Sequence, residues 1–217
     1  MNVFDAIKKR KAIKAYKSGT PITDEQLDKI IEAGRLAPTA NNIQDNMVII
    51  LRSPEWREKY KECLQDFNKQ YAVAGEAIVI FVGIPWSMVA KDNGKWIYDV
   101  DVHAYDVPEA EKQKIVAGVV NYYETSRSSY ADVLDIYSSA TMFAYMSLEA
   151  TELGLGTTPM LGIVKSDFEK MLLADKLIQP GQRVNMALAI GYEDEENERN
   201  KTHTRIRMPK EKQFTIL

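Results

Sequence analysis

The sequence predicts an α+β fold, on three observations. Helical periodicity covers most of the 217 residues, runs that read as strands are few, and the two do not alternate in strict β-α-β order. With 45% hydrophobic and 27% charged residues, the chain can bury a large core without cross-links. No repeat, low-complexity tract or Pro/Gly/Ser linker divides it, so residues 1–217 read as one domain with a polar tail from about residue 195.

Val3, Phe4 and Ile7 recur at helical spacing ahead of the basic run from Lys8 to Lys11. Thr23 and Gln26 have capping-box spacing; Leu27, Ile30 and Ile31 then share a face, and Pro38 stops the helix. Met47 to Leu51 is an apolar, β-branched run and predicts a strand. Ser53-Pro54 suits an N-cap and first helical position, followed by one stripe of Trp56, Tyr60, Cys63, Leu64, Phe67 and Tyr71. Ala77 to Ile84 is apolar enough for a strand covered on both faces.

Trp86 to Val107 reads as irregular, with a turn at Asn93-Gly94. Pro108 can open a helix reaching about Ser126, and a second, apolar one spans about Tyr130 to Leu153, ended by Gly154 or Gly156. Ser166 and Glu169 have capping-box spacing, and Asn185 to Ile190 predicts a strand. The tail is acidic from Glu193 to Glu198, basic at Lys201, Arg205 and Arg207, and apolar from Phe214 to Leu217.

Several function classes lose ground. A net charge of −3 lacks the basic excess of a nucleic-acid binder. One cysteine and two histidines, His103 and His203, are too few for a dedicated transition-metal centre, so none is expected. Cys63 lies on an apolar stripe and reads as core. No G-x-S-x-G, P-loop or helix-opening G-x-G-x-x-G occurs. The longest apolar run, Ala77 to Trp86, is roughly half a membrane span and contains Pro85. Met1 to Tyr16 lacks the apolar stretch of a signal peptide, so a cytoplasmic location is expected by default.

Two basic clusters, Lys9 to Lys14 and Arg205 to Arg207, stand at opposite ends of the chain. Each alone is ordinary solvated surface; together they could clamp a phosphate dianion, which guanidinium groups bind in bidentate fashion. Between them, Ala37 to Gln44 is a loop of small and amide side chains whose donors and acceptors suit the edge of a planar heterocycle. On its own, that loop could equally be an amide-rich turn.

R-K-A-I-K-A-Y from Arg10, A-P-T-A-N-N-I-Q from Ala37, G-L-G-T-T-P-M-L-G from Gly154 and R-I-R-M-P from Arg205 occur in this order. The combination, spanning Phe4 to Pro209, resembles the FMN-dependent nitroreductase family. The resemblance implies an α/β sandwich with a central, mainly antiparallel sheet flanked by helices. It also implies an intertwined homodimer whose C-terminal tails wrap the partner, with FMN in each interface pocket. The implied cycle is ping-pong: NADH or NADPH reduces the flavin, and a nitroaromatic, quinone or similar small acceptor reoxidises it.

By position, the resemblance assigns Arg10, Lys11, Ala12, Arg205 and Arg207 to the phosphate end of FMN. Lys14 falls at the flavin N1/O2 edge, Asn68 at the pyrimidine edge, and Asn42 with Gln44 beside the partner's cofactor. Pro159, Met160, Leu161 and Gly162 line one flavin face, with the Leu161 backbone N–H aimed at N5. Four positions depart from the pattern. Ala12 replaces a serine, Asp45-Asn46 replaces Pro-Trp and adds a charge beside the expected site, and Tyr71 stands where a lysine is common. These departures keep other flavin chemistry open, such as reductive dehalogenation or an oxygen-dependent reaction, and also a flavin-binding protein without efficient turnover. A basic-tailed interaction module is the reading of a different class.

Overall fold

The computed structural model describes residues 2–217. Its sheet has four antiparallel strands in the order β1-β2-β4-β3: β1 Asn46–Leu51, β2 Ala77–Gly83, β3 Gly156–Met160 and β4 Arg183–Gly191. All seven residues of β2 are buried, because both faces of the sheet are covered. The period-2 geometry of a strand divides them: Ile78, Ile80 and Val82 join one core, Ala77, Val79 and Phe81 the other. This is why β2 shows no polar alternation.

Helices α1 (Val3–Lys9) and α2 (Asp24–Arg35) precede β1. The Thr23 capping box forms as its spacing predicts, with Gln26 N–H donating to Thr23 Oγ1 and Thr23 N–H to Gln26 Oε1. Helices α3 (Pro54–Tyr60) and α4 (Phe67–Ala74) lie between β1 and β2. The stripe from Trp56 to Tyr71, expected as one helix, breaks there: a 3-10 turn spans Lys61–Cys63 and Asp66 has φ +46°. The break lets Gln65 N–H reach the Gly162 carbonyl at 2.9 Å and Leu64 bridge Ile163, contacts a continuous helix would forfeit. Cys63 is fully buried, as its place on the stripe implies.

Trp86 to Val107, expected to be irregular, is largely helical: α5 (Trp86–Val89) and α6 (Lys91–Val100). Its periodicity is masked by a left-handed run at Asp92, Asn93 and Gly94, the last of which packs on Val116 and Val120. Helices α7 (Glu109–Asn121) and α8 (Ser128–Ala131) complete this excursion around a third core containing Ile84, Ile97, Val102 and Tyr123. The long α9 (Leu134–Glu152) then crosses the sheet, packing Met146 and Ala150 onto Phe81 and Ile30.

Strand β3 went unseen in the sequence because Gly156 and Pro159 are poor strand formers. Its edge position tolerates the missing proline N–H. Helix α10 (Lys165–Ala174) starts two residues earlier than the Ser166 capping box requires, and no side chain caps it. Glu169 instead accepts the Val184 N–H at 3.0 Å, tying α10 to β4. After β4, α11 (Glu198–Thr202) and α12 (Lys210–Gln213) are short, and Phe214, Ile216 and Leu217 are exposed. No helix of the described residues is long and apolar enough to cross a membrane.

Candidate flavin site

Beyond α1, the chain runs along the edge strand. Ala12 bridges Thr157 in parallel, Ile13 N–H donates to Thr157 O at 3.0 Å, and Thr158 Oγ1 donates to Ile13 O at 2.7 Å. This approach needs Gly156, because a Cβ there would overlap Ile13 Cγ1. Buried Asn200 closes the other side. Its Oδ1 accepts the Lys14 N–H at 2.7 Å, while Nδ2 donates to the Ala15 and Asp194 carbonyls, each at 2.8 Å. Segments separated by nearly the whole chain are thus fixed together.

There the two basic clusters meet, across a cavity of about 250 Å³ lined by Arg10 to Ala12 and His203 to Arg207. Arg205 donates to the Ile7, Lys8 and Arg10 carbonyls, each at 2.9 Å, and so caps the C-terminus of α1. Arg10 Nη1 is buried and makes no hydrogen bond. Burial first, then the charges of Arg205 and Arg207, pull the Arg10 guanidinium below its usual pKa. Burial, then Lys14 and Lys11, lower His203 likewise. Lys11 pairs with Glu193 at 2.8 Å. An orphaned cationic N–H is costly, and an anion with several acceptor oxygens answers it directly. The pocket therefore fits a phosphate on its own chemistry.

At the sheet end, Asn68 Nδ2 donates to the Gly162 carbonyl at 2.9 Å. A Cβ on Gly162 would stand 2.6 Å from that nitrogen, so glycine keeps the contact. Met160 is buried in the core, Pro159 is half-buried and Leu161 is 75% exposed, leaving main chain and Leu161 as the accessible parts of this segment.

Asn42 and Gln44 lie elsewhere, both exposed and at φ +50° and +51°. Asn42 Nδ2 donates to Asp101 Oδ1 at 2.6 Å and Gln44 Nε2 to Val100 O at 2.9 Å. The amide loop is therefore anchored to the end of α6, and its hydrogen bonds do not reach the basic pocket. Asp45, expected to add a charge beside the site, carries its carboxyl buried rather than in solvent. It is 3% exposed and accepts from Ser138 Oγ at 2.5 Å, and burial pushes its carboxyl up to about 6.

His203 and Asn200 shape the site and were not singled out as site residues. Their signal was proximity to Arg205, which composition alone does not rank.

The profile of the Nitroreductase family matches residues 7–192. Among similar proteins, MhqN of Bacillus subtilis, named among the NAD(P)H nitroreductases, is 26% identical over 194 residues, 89% of each chain. An enone reductase of conjugated linoleic acid biosynthesis from Lactiplantibacillus plantarum is 23% identical, covering 79% of this chain and 76% of its own. A nitroreductase-type structure from Exiguobacterium sibiricum, in complex with FMN, superposes with a TM-score of 0.80 at 21% identity, covering 100% of this chain and 98% of the other. Fold and sequence together define a nitroreductase-type α+β scaffold. The chain belongs to the nitroreductase family.

Proposed function

We propose that this protein is an FMN-dependent oxidoreductase that takes reducing equivalents from NADH or NADPH and passes them to a small planar acceptor in a ping-pong cycle. The observation carrying this reading is the buried, unpartnered Arg10 Nη1 in a cavity whose other wall holds Arg207 and His203. When bound, FMN supplies the redox chemistry, accepting a hydride from the nicotinamide and then giving two electrons to the acceptor. Arg10 and Arg207 hold the phosphate. Arg205 holds Arg10, by fixing its carbonyl and the end of α1. Lys14 places positive charge at the pyrimidine edge, and Asn68 braces residues 159–162. The Leu161 backbone N–H is assigned to N5, where a fixed donor tunes hydride acceptance without titrating.

The functional unit is a homodimer. Tyr137, Ala140 and Ala144 form an exposed stripe on α9, opposite its buried face, and Phe214, Ile216 and Leu217 extend uncovered. A second copy covers both, with residues 195–217 lying across it and the Asn42–Gln44 loop reaching its cofactor.

Anaerobic mixing of the FMN-loaded protein with NADH and with NADPH tests the reading. Bleaching of the flavin by either nucleotide, reversed on adding a quinone or nitroaromatic, is expected. Bound FMN that stays oxidised with both would make this a flavin-binding protein without turnover.

A further inference from the structure

Helix α11 carries a cation that none of the expected site residues accounts for. The Arg199 guanidinium lies over two rings of α4, 5.2 Å from the centroid of Phe67 and 5.7 Å from that of Tyr71. It also donates from Nη2 to Tyr71 Oη at 2.9 Å. Tyr71 is buried and Phe67 is 60% exposed, so the guanidinium caps the aromatic pair where it meets solvent. Stacking and a hydrogen bond together fix a side chain that would otherwise sample many rotamers. Among the described residues no carboxylate lies within ion-pair distance of Arg199, so its charge is not spent internally.

Two neighbours set the direction in which that charge acts. The next residue, Asn200, accepts the Lys14 N–H, which brings α11 against the 10–16 segment. Three residues before Tyr71 on α4, Asn68 donates to Gly162. Arg199 therefore links the helix bonded to the Lys14 main chain with the helix bonded to Gly162.

We propose that Arg199 supplies, beside Lys14, a second positive charge at the pyrimidine edge of the bound flavin and so raises its reduction potential. This rests on the FMN reading above. Negative charge appears at that edge on two-electron reduction, and a nearby cation favours the charged form. Tyr71, standing where the resemblance expects a lysine, then serves as the platform for a cation delivered from the tail. Because Arg199 is exposed, the contribution is screened by salt.

The test uses FMN-loaded wild type, Arg199→Gln and Arg199→Lys. Fluorescence titration gives the affinity for oxidised FMN, and dye equilibration gives the midpoint potential. In Arg199→Gln, affinity for oxidised FMN should change less than threefold, while affinity for reduced FMN falls about tenfold more. That ratio lowers the potential by about 30 mV for a two-electron couple. Arg199→Lys should recover most of the loss, and the gap should narrow as salt rises. An Arg199→Gln protein with bound flavin at the wild-type potential overturns the proposal. A wild-type chain that binds no FMN overturns the reading beneath it, and the proposal with it.

Discussion

Arg205 Nη1 donates to the Arg10 carbonyl at 2.9 Å, so one wall of the basic pocket is held in place by the other. The two arginines repel each other at their guanidinium groups yet are locked at the backbone. Their substitutions should therefore behave differently. Arg10→Ala should leave the apoprotein no less stable, since it removes an orphaned N–H and a repulsion, while weakening FMN by roughly one to two orders of magnitude. Arg205→Ala strips the α1 terminus of its cap and should destabilise the apoprotein by about 1 kcal/mol as well as weakening FMN. Thermal melts of both apoproteins beside FMN titrations separate the roles; an equal loss of melting temperature in both would contradict them.

Asp45 should make stability depend on pH. Its carboxyl sits at about 6 in the folded chain against an ordinary value of 3.8, so between those values the folded state binds more protons than the unfolded one. Stability therefore falls as pH rises through that window, by on the order of 2–3 kcal/mol, and the penalty is fully present above pH 6. Asp45→Asn keeps an acceptor for Ser138 and should flatten this slope. Denaturant unfolding at pH 4.5 and 7 reads the difference, and a slope unchanged in Asp45→Asn would contradict the assignment.

What the sequence revealed and what it hid follow from the range of the interactions. Ala77 to Gly83 was legible because burial on both faces leaves a continuous apolar run, and Thr23 because a capping box is local. Strand β3 was not, since Gly156 and Pro159 are chosen by the approach of Ile13 and by the sheet edge, both of them tertiary facts. The ends of the basic pocket were recognisable as types and spacing. That Arg205 would spend its donors on a helix end, that Asp45 would turn inward to Ser138, and that Asn200 would grip Lys14 depend on partners 93 to 198 residues away.

Gly83 faces the buried carboxylate of Asp135, whose ion pair with half-buried Arg183 closes one end of β4. A Cβ there would overlap Asp135 Oδ2, which accepts from Arg183 Nε at 2.8 Å and from Asn185 Nδ2 at 3.2 Å. Gly83→Ala must displace the buried carboxylate and should cost about 1–3 kcal/mol, the range for a buried acceptor pushed off its donors. An alanine variant within 1 kcal/mol of wild type in urea unfolding would show that the strand yields instead.

Coupling of fold and assembly gives a concentration dependence. The exposed α9 stripe and the terminal Phe214, Ile216 and Leu217 predict a melting temperature that rises with protein concentration. Deleting residues 210–217 should lower the dimer affinity and that of FMN together. A truncated chain that sediments as the wild type and keeps its flavin would remove the tail from the interface.

Arg10 and its neighbours are assigned the FMN phosphate. The most direct test compares FMN with riboflavin, which differ by that group alone, in parallel fluorescence titrations of the apoprotein. Two charge-assisted contacts predict FMN binding on the order of a hundredfold tighter or more, with the advantage cut by roughly tenfold or more in Arg10→Ala. Equal affinity for FMN and riboflavin in the wild-type protein would mean that this pocket holds no phosphate.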